Sequence, residues 1–505
     1  MNKHYCIFLI AGLIGCTQPE FISGEEALED MNVFQEDLEF AASYCNLADK
    51  SVAAKLAPLK TYFGAQEKVS VYELADSLSK LMGYFGDRHS YVRIEDDSRN
   101  TETLFLPFAT APLQDSLVIA VMPNKQSEYD LVYEEFPVLA SINGVDVSEL
   151  LQRADYRHQK APKEAKWYRQ AMTLVYIEAN FHLAGIPFTS PLECVFKDLA
   201  GTKDTLIAVT PTSKRVLWNE LGDKMEKDKK SLFGDQEGLF QRIDDVGIIS
   251  IPEMVREGND DSKGFYDLLQ KKMLEYRDTK ALIIDVRNNP GGRRHLIGFF
   301  SQYFSDPDYP WVANVAVARE TPLDNDEYND RMRALNRDQL NARFLYQWDS
   351  PYWNEQERSA IDQFITSFEP KLAFDSRDFS SPHVMVLPIR EFLVDSYAYD
   401  KPVYILANER SFSAASVLVA AFKGHPNVKI AGVKVDGSSG MSYRTELPNS
   451  KLVYRYSRMV SFQRNGLTLD GNGVEPDILL MRDLDHVLAR HDSQLDDLLK
   501  IINDQ

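Results

Sequence analysis

The chain of 505 residues contains little cysteine, and positive charge is in the minority. Its four cysteines are too few for a disulfide framework, and none of them lies with histidines at the spacing of a zinc site. Asp and Glu outnumber Lys and Arg by 76 to 56, which gives a formal net charge of -20. A field of that sign repels phosphate backbones, so we expect no nucleic-acid partner. We also expect no cofactor and no bound metal.

Long apolar runs are scarce, and the one clear example covers residues 5–14. This run is shorter than the ~20 residues of a membrane helix, and its basic start is typical of an export signal. It closes with Leu13-Ile14-Gly15-Cys16, which resembles a bacterial lipobox. The resemblance implies a lipoprotein signal peptide over 1–15, lipid on Cys16 and a tether over 16–26. We therefore expect a lipid anchor in the bacterial cell envelope, at the outer membrane. The sequence does not say whether the protein faces the periplasm or the cell surface. A plain signal peptide with a chance cysteine is the alternative.

Two cysteines remain once Cys6 leaves with the signal and Cys16 carries lipid. Cys45 and Cys194 are 149 positions apart and have no informative spacing. In an oxidising envelope they could form a disulfide, and two buried thiols fit the sequence equally well. The sequence leaves their pairing open.

The first part of the mature chain has the hydrophobic spacing of helices, and we assign residues 27–98 to an N-terminal helical domain. Its clearest helix begins at Ser70, where Glu73 three positions later predicts a capping box. Gly86 is expected to end this helix. His89 follows in a tight connection to a short strand, so the domain delivers a histidine at an exit turn.

Short strands and turns replace helices over residues 103–213. Asn143-Gly144 between two apolar runs predicts a hairpin, and a helix is expected to start at Ser148. Together these features resemble the carboxylate-proximal half of a PDZ domain, a fold that binds extended peptides at an open sheet edge. The charged stretch 222–230 that follows is predicted to be a linker.

The third region, residues 239–480, alternates strands with helices. Continuous apolar runs at 281–286 and 403–407 are typical of buried parallel strands joined by helices. Residues 305–399 are interpreted as an insertion near the site or at an interface. Residues 481–505 are predicted to form a C-terminal helix.

Two junctions in this third region could carry chemistry. Gly291 and Gly292 stand between a buried strand and an apolar helix, where free N–H groups can form an oxyanion hole or only a turn. Ser413 stands between a second strand and a helix rich in small residues, where it could be a nucleophile or an ordinary N-cap. No Gly-x-Ser-x-Gly motif is present, so an α/β-hydrolase elbow is not predicted.

Four blocks follow one another along the same region and connect these junctions. They are ALIIDVRNNPGG at 281–292, SFSAA at 411–415, IAG at 430–432 and GVEPD at 473–477. Their succession resembles the C-terminal processing and tricorn-type family of serine peptidases, which are tail-specific protease-like and contain PDZ domains. The resemblance implies a multi-domain α/β protein with a crotonase/Clp-protease-like catalytic core. It also implies Ser413 as the nucleophile, with the backbone N–H groups of Gly292 and Ala414 as oxyanion donors.

The base that activates the serine differs between the branches of that family. The processing branch uses a lysine, and Ser438 occupies its position in this chain. The tricorn-type branch uses a histidine after the N-terminal helix and an acid before the last block. His89 and Asp470 match those two positions, although the family acid is more often Glu. A Ser-Lys dyad with Lys434 is the alternative.

The sequence thus predicts a serine endopeptidase that cleaves proteins or peptides by acyl-enzyme chemistry, with a triad of Ser413, His89 and Asp470. A non-catalytic peptide-binding or lipid-binding lipoprotein on the same fold is the rival interpretation. Because Ala414 rather than an acid follows the nucleophile, we expect small or apolar substrate side chains beside the scissile bond. A basic side chain would lose its hydration there without meeting an opposite charge.

Overall fold

The structure is a computed structural model, and it describes most of the chain from residue 19 onward. The described residues are 19–45, 47, 51–85, 87–95, 103–114, 116–155, 160–220, 236–255, 260–320, 326–393 and 397–505. The predicted signal peptide with Cys16, the predicted helix end at Gly86 and the predicted linker 222–230 lie outside them. Within the described part of the chain, no helix has both the length and the hydropathy that crossing a bilayer requires.

The described residues of the N-terminal region form three helices and three short strands, and the helices bury their apolar faces in one shared core. They are β1 (Phe21–Ile22), α1 (Gly24–Ala41), α2 (Val52–Gly64), β2 (Val69–Ser70), α3 (Val71–Met82) and β3 (Tyr91–Arg93).

The predicted capping box at the start of α3 is wrong. Ser70 occupies the N-cap position, but its side chain makes no capping hydrogen bond. Glu73 instead accepts a hydrogen bond of 2.7 Å from the hydroxyl of Tyr62 on α2. A contact between neighbouring helices thus takes the carboxylate that the local pattern assigned to the cap. The helix also ends earlier than predicted, at Met82, with Gly83 as its C-cap.

The second region is an antiparallel sheet with helices. Its elements are β4 (Ala109–Leu113), β5 (Leu117–Pro123), β6 (Tyr129–Leu131), β7 (Val138–Ile142), β8 (Val145–Asp146), α4 (Val147–Ala154), α5 (Lys163–Thr173), α6 (Ile177–Leu183), β9 (Leu192–Lys197) and β10 (Asp204–Val209). Asn143 and Gly144 have φ values of 51° and 76° between the paired strands β7 and β8. The predicted hairpin is therefore confirmed.

The third region contains β-sheets and the helices that cover them. Its elements are β11 (Phe240–Ile243), β12 (Val246–Ser250), α7 (Asp260–Glu275), β13 (Ala281–Asp285), α8 (His295–Phe304), β14 (Trp311–Ala318), α9 (Asp326–Asn341), β15 (Tyr346–Gln347), α10 (Glu355–Ser367), β16 (His383–Leu387), β17 (Val403–Ala407), α11 (Ala414–Phe422), β18 (Val428–Gly432), β19 (Ser442–Glu446), β20 (Val453–Ser457), β21 (Met459–Phe462) and β22 (Ile478–Leu479). The described strands of this region form two sheets of their own and, through β19 and β20, a third sheet that β3 of the N-terminal region completes.

The first of these sheets has the order β11-β12-β13-β17-β18-β22. Its strands from β12 to β22 pair in parallel, which confirms the prediction of buried parallel strands. Such a sheet brings the carboxyl ends of β13 and β17 to the same edge. The Gly291-Gly292 turn and Ser413 follow those two ends, so the topology places the two candidate junctions side by side.

The stretch 305–399 is built into the core rather than appended to it. Its strand β14 pairs with β16 on one side and with β21 on the other, forming the sheet β15-β16-β14-β21. Val315 and Val384 of this sheet lie in the same hydrophobic cluster as Phe34 and Leu78 of the N-terminal helices. The N-terminal region therefore packs on the sheet β15-β16-β14-β21.

The C-terminal segment 481–505 contains two helices, α12 (Leu484–Val487) and α13 (Ser493–Asn503), where one was predicted. Cys45 and Cys194 are not joined in a disulfide, and both are buried in different hydrophobic clusters. Burial raises the pKa of the Cys194 thiol to about 12, which keeps it protonated and unreactive near neutral pH.

Candidate active site

Ser413 stands at the N-cap position of α11 in a backbone conformation that is rare for a residue with a side chain. Its φ is 54° and its ψ is -121°, and its hydroxyl makes no capping hydrogen bond. The ordinary N-cap interpretation therefore does not apply. Gly291 permits the arrangement, because a Cβ at that glycine would lie 2.5 Å from the Cβ of Ser413. Strained serines between a strand and a helix present their hydroxyl outward.

His89 lies directly against Ser413, although 324 positions separate them in the chain. Its Nε2 is 3.1 Å from the Ser413 Oγ, and its ring stacks on Phe412 with the centroids 4.9 Å apart. Strand β3, which follows the histidine, pairs with β20 and fixes the turn in place. Burial lowers the pKa of the imidazole, while the Asp87 carboxylate acts in the opposite direction. The lowered pKa favours the neutral ring that a general base requires.

Asp470 reaches His89 through a bridging hydroxyl rather than directly. The Nδ1 of His89 is 2.9 Å from the Ser438 Oγ, and that hydroxyl donates to Asp470 Oδ1 over 3.0 Å. The second carboxylate oxygen, Oδ2, accepts a hydrogen bond of 3.0 Å from the Tyr44 hydroxyl. Ser438 is not among the predicted catalytic residues, and its match to the lysine position of the processing branch is the signal that points to it.

Two buried carboxylates lie behind the histidine and influence each other. Burial raises the pKa of the Asp470 carboxyl to about 8, and the negative charge of Asp87 acts in the same direction. Asp87 itself accepts the backbone N–H of His89 over 2.9 Å and that of Ser457 over 3.0 Å. It also accepts the Ser90 hydroxyl. Asp87 therefore holds the turn, while Asp470 is the acid that connects to the ring.

The charge on Asp470 decides which nitrogen of His89 carries the proton. When Asp470 is ionised, the Ser438 hydroxyl donates to it and can accept from a protonated Nδ1. The Nε2 lone pair then faces Ser413, as a general base requires. The backbone N–H of Gly440 points at Nδ1 from 3.2 Å and favours the opposite tautomer. The ionised carboxylate must outweigh that contact.

Gly292 and Ala414 border the same cleft as Ser413. The φ of Gly292 is 139°, and a Cβ there would lie 2.1 Å from the Met254 carbonyl oxygen, so only glycine fits this close approach. Among the described residues, neither the Gly292 nor the Ala414 backbone N–H has a hydrogen-bond acceptor. Two unpaired donors beside a serine hydroxyl are the arrangement that stabilises an oxyanion.

Lys434 lies away from this constellation. Its Nζ is 2.6 Å from Glu475 Oε1, and it does not line the cleft. Lys434 is therefore not placed to take a proton from the Ser413 hydroxyl.

Asp87, His89 and Asp470 bring potential ligand atoms within 4.8 Å of one another, the one such group in the described part of the chain. Hydrogen bonds account for each of these atoms. The carboxylates accept from backbone and hydroxyl donors, and the Nδ1 of His89 lies within hydrogen-bond distance of the Ser438 hydroxyl and of the Gly440 N–H. We therefore interpret the group as a hydrogen-bond network and not as a metal site.

Residues 245–480 match the model of peptidase family S41. This segment is a peptidase S41 domain. Ser413, Gly292, Ser438 and Asp470 lie inside the matched S41 segment. His89 lies outside it, so the N-terminal region completes the constellation.

Two chlamydial proteins are similar to part of the chain. The alignment to a protein of Chlamydia trachomatis is 25% identical over 221 residues, and that to an uncharacterized protein of Chlamydia muridarum is 25% identical over 218 residues. Each alignment covers 40% of this chain and 34% of the relative. The chain thus spans about a third of the length of the curated relatives that it matches.

Two solved structures are similar over most of the chain. Mature CPAF complexed with lactacystin superposes with a TM-score of 0.62 at 18% identity, covering 95% of this chain and 99% of that chain. A second structure of mature CPAF gives a TM-score of 0.61 at 18% identity, with coverages of 95% and 98%. At this identity the likeness shows the fold alone, a mixed α/β fold that includes the S41 domain.

Proposed function

We propose that this protein is a serine endopeptidase that cleaves polypeptides through an acyl-enzyme. The contact of 3.1 Å between the Ser413 Oγ and the His89 Nε2 is the observation that carries the proposal. Ser413 acts as the nucleophile, His89 as the general base and acid, and the N–H groups of Gly292 and Ala414 as oxyanion donors. The S41 domain supports peptide hydrolysis as the reaction class.

Each step follows from this geometry. The Ser413 Oγ attacks the scissile carbonyl carbon while its proton passes to the Nε2 of His89. The carbonyl oxygen becomes an oxyanion between the two backbone N–H groups. When the C–N bond breaks, His89 returns the proton to the departing amine and the acyl group stays on Ser413. Water then attacks the ester with His89 again as base, which releases the acid and restores the serine.

Asp470 orients His89 through Ser438 in this proposal. The carboxylate and the hydroxyl hold the imidazole with its lone pair toward Ser413 and stabilise the imidazolium that forms during the reaction. This chain of four side chains replaces the direct triad contact that the sequence suggested. Lys434, paired with Glu475, is the less favourable candidate for the base.

A fluorophosphonate probe tests the proposal, since it reacts only with an activated serine. Labelling of the wild type and its absence in Ser413→Ala is the expected result. His89→Ala should lower kcat by roughly a thousandfold, while Lys434→Ala leaves it nearly unchanged. Absence of labelling in the folded wild type would favour the non-catalytic lipoprotein instead. Loss of turnover in Lys434→Ala with retention in His89→Ala would favour the dyad.

The finer domain assignments belong to the same proposal. We propose a PDZ-like peptide-binding domain over 103–213 and a crotonase/Clp-protease-like core over 239–480. The antiparallel sheet with its Asn143-Gly144 hairpin supports the first, and the parallel sheet with covering helices supports the second.

Anchoring at the cell envelope rests on the lipobox resemblance alone. We propose that Cys16 carries the lipid and holds the peptidase at the bacterial outer membrane. Cys16→Ala should then move the protein from the detergent phase to the aqueous phase, or leave an unprocessed precursor, in a partitioning experiment. Unchanged partitioning would contradict the anchor.

A further inference from the structure

Positive charge is concentrated in the cleft beside Ser413, although the chain as a whole is acidic. The cleft has a volume of about 670 Å³. Its lining includes four arginines and one acidic side chain, Glu253. The arginines are Arg293, Arg294, Arg343 and Arg455, defined here as the arginine cluster. Arg293 directly follows the proposed oxyanion donor Gly292, so the cluster begins next to the reacting centre.

The arginine cluster has no negative partner in the described part of the chain. None of its four members forms an ion pair with a described carboxylate. Their hydrogen bonds go to neutral acceptors instead. Arg294 Nη1 donates to Asn314 Oδ1 over 3.3 Å, Arg343 Nη1 donates to the Gln339 carbonyl over 2.7 Å, and Arg455 donates to the Ser442 hydroxyl.

This arrangement is costly for the protein alone. Arg294 is 5% exposed, and burial lowers the pKa of its guanidinium to about 9, with the charge of Arg343 acting in the same direction. Burial also lowers the pKa of Arg343 to about 10, and the charges of Arg293 and Arg455 add to the effect. The four cations therefore repel one another in a partly dehydrated cleft. An anion bound among them would relieve both the repulsion and the desolvation.

We propose that the arginine cluster binds a carboxylate of the peptide substrate and thereby selects peptides that carry one near the scissile bond. The inference rests on the proposed peptidase function, because the cleft is the one that Ser413 and Gly292 border. Guanidinium groups bind carboxylates in bidentate geometry, which fixes position as well as charge. An acidic side chain and a C-terminal carboxylate both offer this chemistry. Basic side chains are disfavoured by the cluster as well as by Ala414.

Matched peptides test the charge directly. Quenched fluorogenic peptides would differ only by Glu, Gln or Lys at one position on either side of the cleaved bond. Each would be made with a free or an amidated C-terminus. We expect kcat/KM to be roughly tenfold or more higher for the charged member of the favoured pair than for its neutral isostere. If the peptide with Glu has a higher kcat/KM than the peptide with Gln when both C-termini are amidated, the cluster binds an acidic side chain. If the Gln peptide with a free C-terminus has a higher kcat/KM than its amidated form, the cluster binds the terminal carboxylate.

Variants then assign the preference to the cluster. Arg293→Gln and Arg455→Gln should bring the ratio of kcat/KM between the charged peptide and its neutral isostere closer to one. Arg490→Gln is the control, because Arg490 pairs with Asp485 outside the cleft, and it should leave that ratio unchanged. Arg293 is exposed, so its variant tests the cluster without disturbing a buried site. Equal rates for all charged and neutral peptides, or a ratio that survives both cluster variants, would overturn the inference.

A binding measurement separates this inference from the proposed function. Ser413→Ala should bind the charged peptide more tightly than its neutral isostere by fluorescence anisotropy, and the difference should shrink as salt is raised. Fluorophosphonate labelling of the wild type without any charge preference would refute the cluster's role and leave the peptidase standing. Charge-selective binding without labelling would refute the peptidase and leave an anion-selective peptide site. Failure of both would overturn both proposals.

Discussion

At the residue scale, Ser413 and Gly291 lie close together in unusual backbone conformations. The serine has a positive φ, and the neighbouring turn can approach it this closely because Gly291 has no side chain. The glycine's own φ is 95°, so it too occupies a conformation that other residues avoid. The strain is held by tertiary packing between the ends of two strands, which points the hydroxyl toward His89.

Gly291→Ala should therefore lower activity more than the strain of a positive φ at residue 291 would by itself. The added Cβ displaces Ser413, and a displacement of that kind lowers kcat by roughly a hundredfold. Gly424→Ala is the matched control, because Gly424 has a φ of 81° but open space around its missing Cβ. Peptide hydrolysis and thermal unfolding of both variants check this. Equal losses of activity in the two would mean that backbone strain, and not contact with Ser413, matters at 291.

The pH dependence of the reaction belongs to Asp470 as much as to His89. The pKa of Asp470 is raised to about 8, and only its ionised form favours the base-competent tautomer. We expect kcat/KM to rise with pH through about 8, above the range of an ordinary imidazole. Stability changes with pH in the opposite direction. The folded protein keeps the proton on Asp470 up to a pH of about 8, while the unfolded chain releases it at the ordinary, lower pKa of an aspartate. The free energy of unfolding therefore falls as the pH rises toward 8.

Asp470→Asn and Ser438→Ala separate this relay from a purely structural role. Both should lower kcat, by roughly ten- to a hundredfold for the serine, with little change in KM. Both should also move the acidic limb of the pH profile down from about 8 toward the titration of His89, whose pKa burial lowers. A lower rate with an unchanged limb near pH 8 would show that another group controls the profile.

At the scale of elements, a buried charge cluster joins the second region to the turn that carries His89. Asp436 is fully buried, and its Oδ2 lies 3.1 Å from both Arg88 and Arg169, the latter on α5. Both guanidinium groups also lie over the ring of Phe412, 5.8 Å from its centroid. The Asp436 carboxylate thus joins Arg88, next to His89, to helix α5 of the second region.

Asp436→Asn should destabilise the protein strongly. The change leaves the buried Arg88 guanidinium facing Arg169 without a counter-charge, which costs about 3–5 kcal/mol of unfolding free energy. Arg169→Gln should cost much less, because it is more exposed and its removal keeps the Arg88 pair intact. Urea unfolding followed by tryptophan fluorescence measures both. A smaller effect for Asp436→Asn than for Arg169→Gln would contradict this account.

At the scale of the whole molecule, buried ion pairs connect the C-terminal segment to the parallel sheet that contains β13 and β17. Arg287, at the end of β13, pairs with Asp285 over 2.8 Å and with Asp492 over 2.6 Å. Asp492 also caps α13 by accepting the backbone N–H of Leu495. The same guanidinium therefore holds the strand end that leads to the glycine turn and the start of the last helix.

Arg287→Met should lower the unfolding free energy by about 3–5 kcal/mol, because two buried carboxylates lose their partner. Adding Asp492→Asn should recover part of that loss, since it removes one of the stranded charges. Arg377→Met, which breaks an exposed pair with Asp375, should cause no measurable change. Additive rather than compensating effects in the double variant would show that the two residues are not coupled.

Elements whose signals lie within a few neighbouring residues could be predicted from the amino-acid sequence. The parallel strands 281–285 and 403–407, the helix 414–422 and the Asn143-Gly144 hairpin follow from local spacing and turn chemistry. The four blocks carry the S41 resemblance for the same reason, because each lies at one strand end. Parallel pairing then brings Ser413 and the glycine turn to one sheet edge.

The contacts between distant parts of the chain could not be predicted in this way, because they depend on packing. Glu73 bonds Tyr62 of another helix instead of its own cap, and Ser438 stands between His89 and Asp470. The arginine cluster gathers four side chains from three separate stretches around one cleft. Such contacts join positions tens to hundreds of residues apart, and packing rather than local preference fixes their distances and their burial. The proton on His89 and the charge of the cleft depend on those quantities.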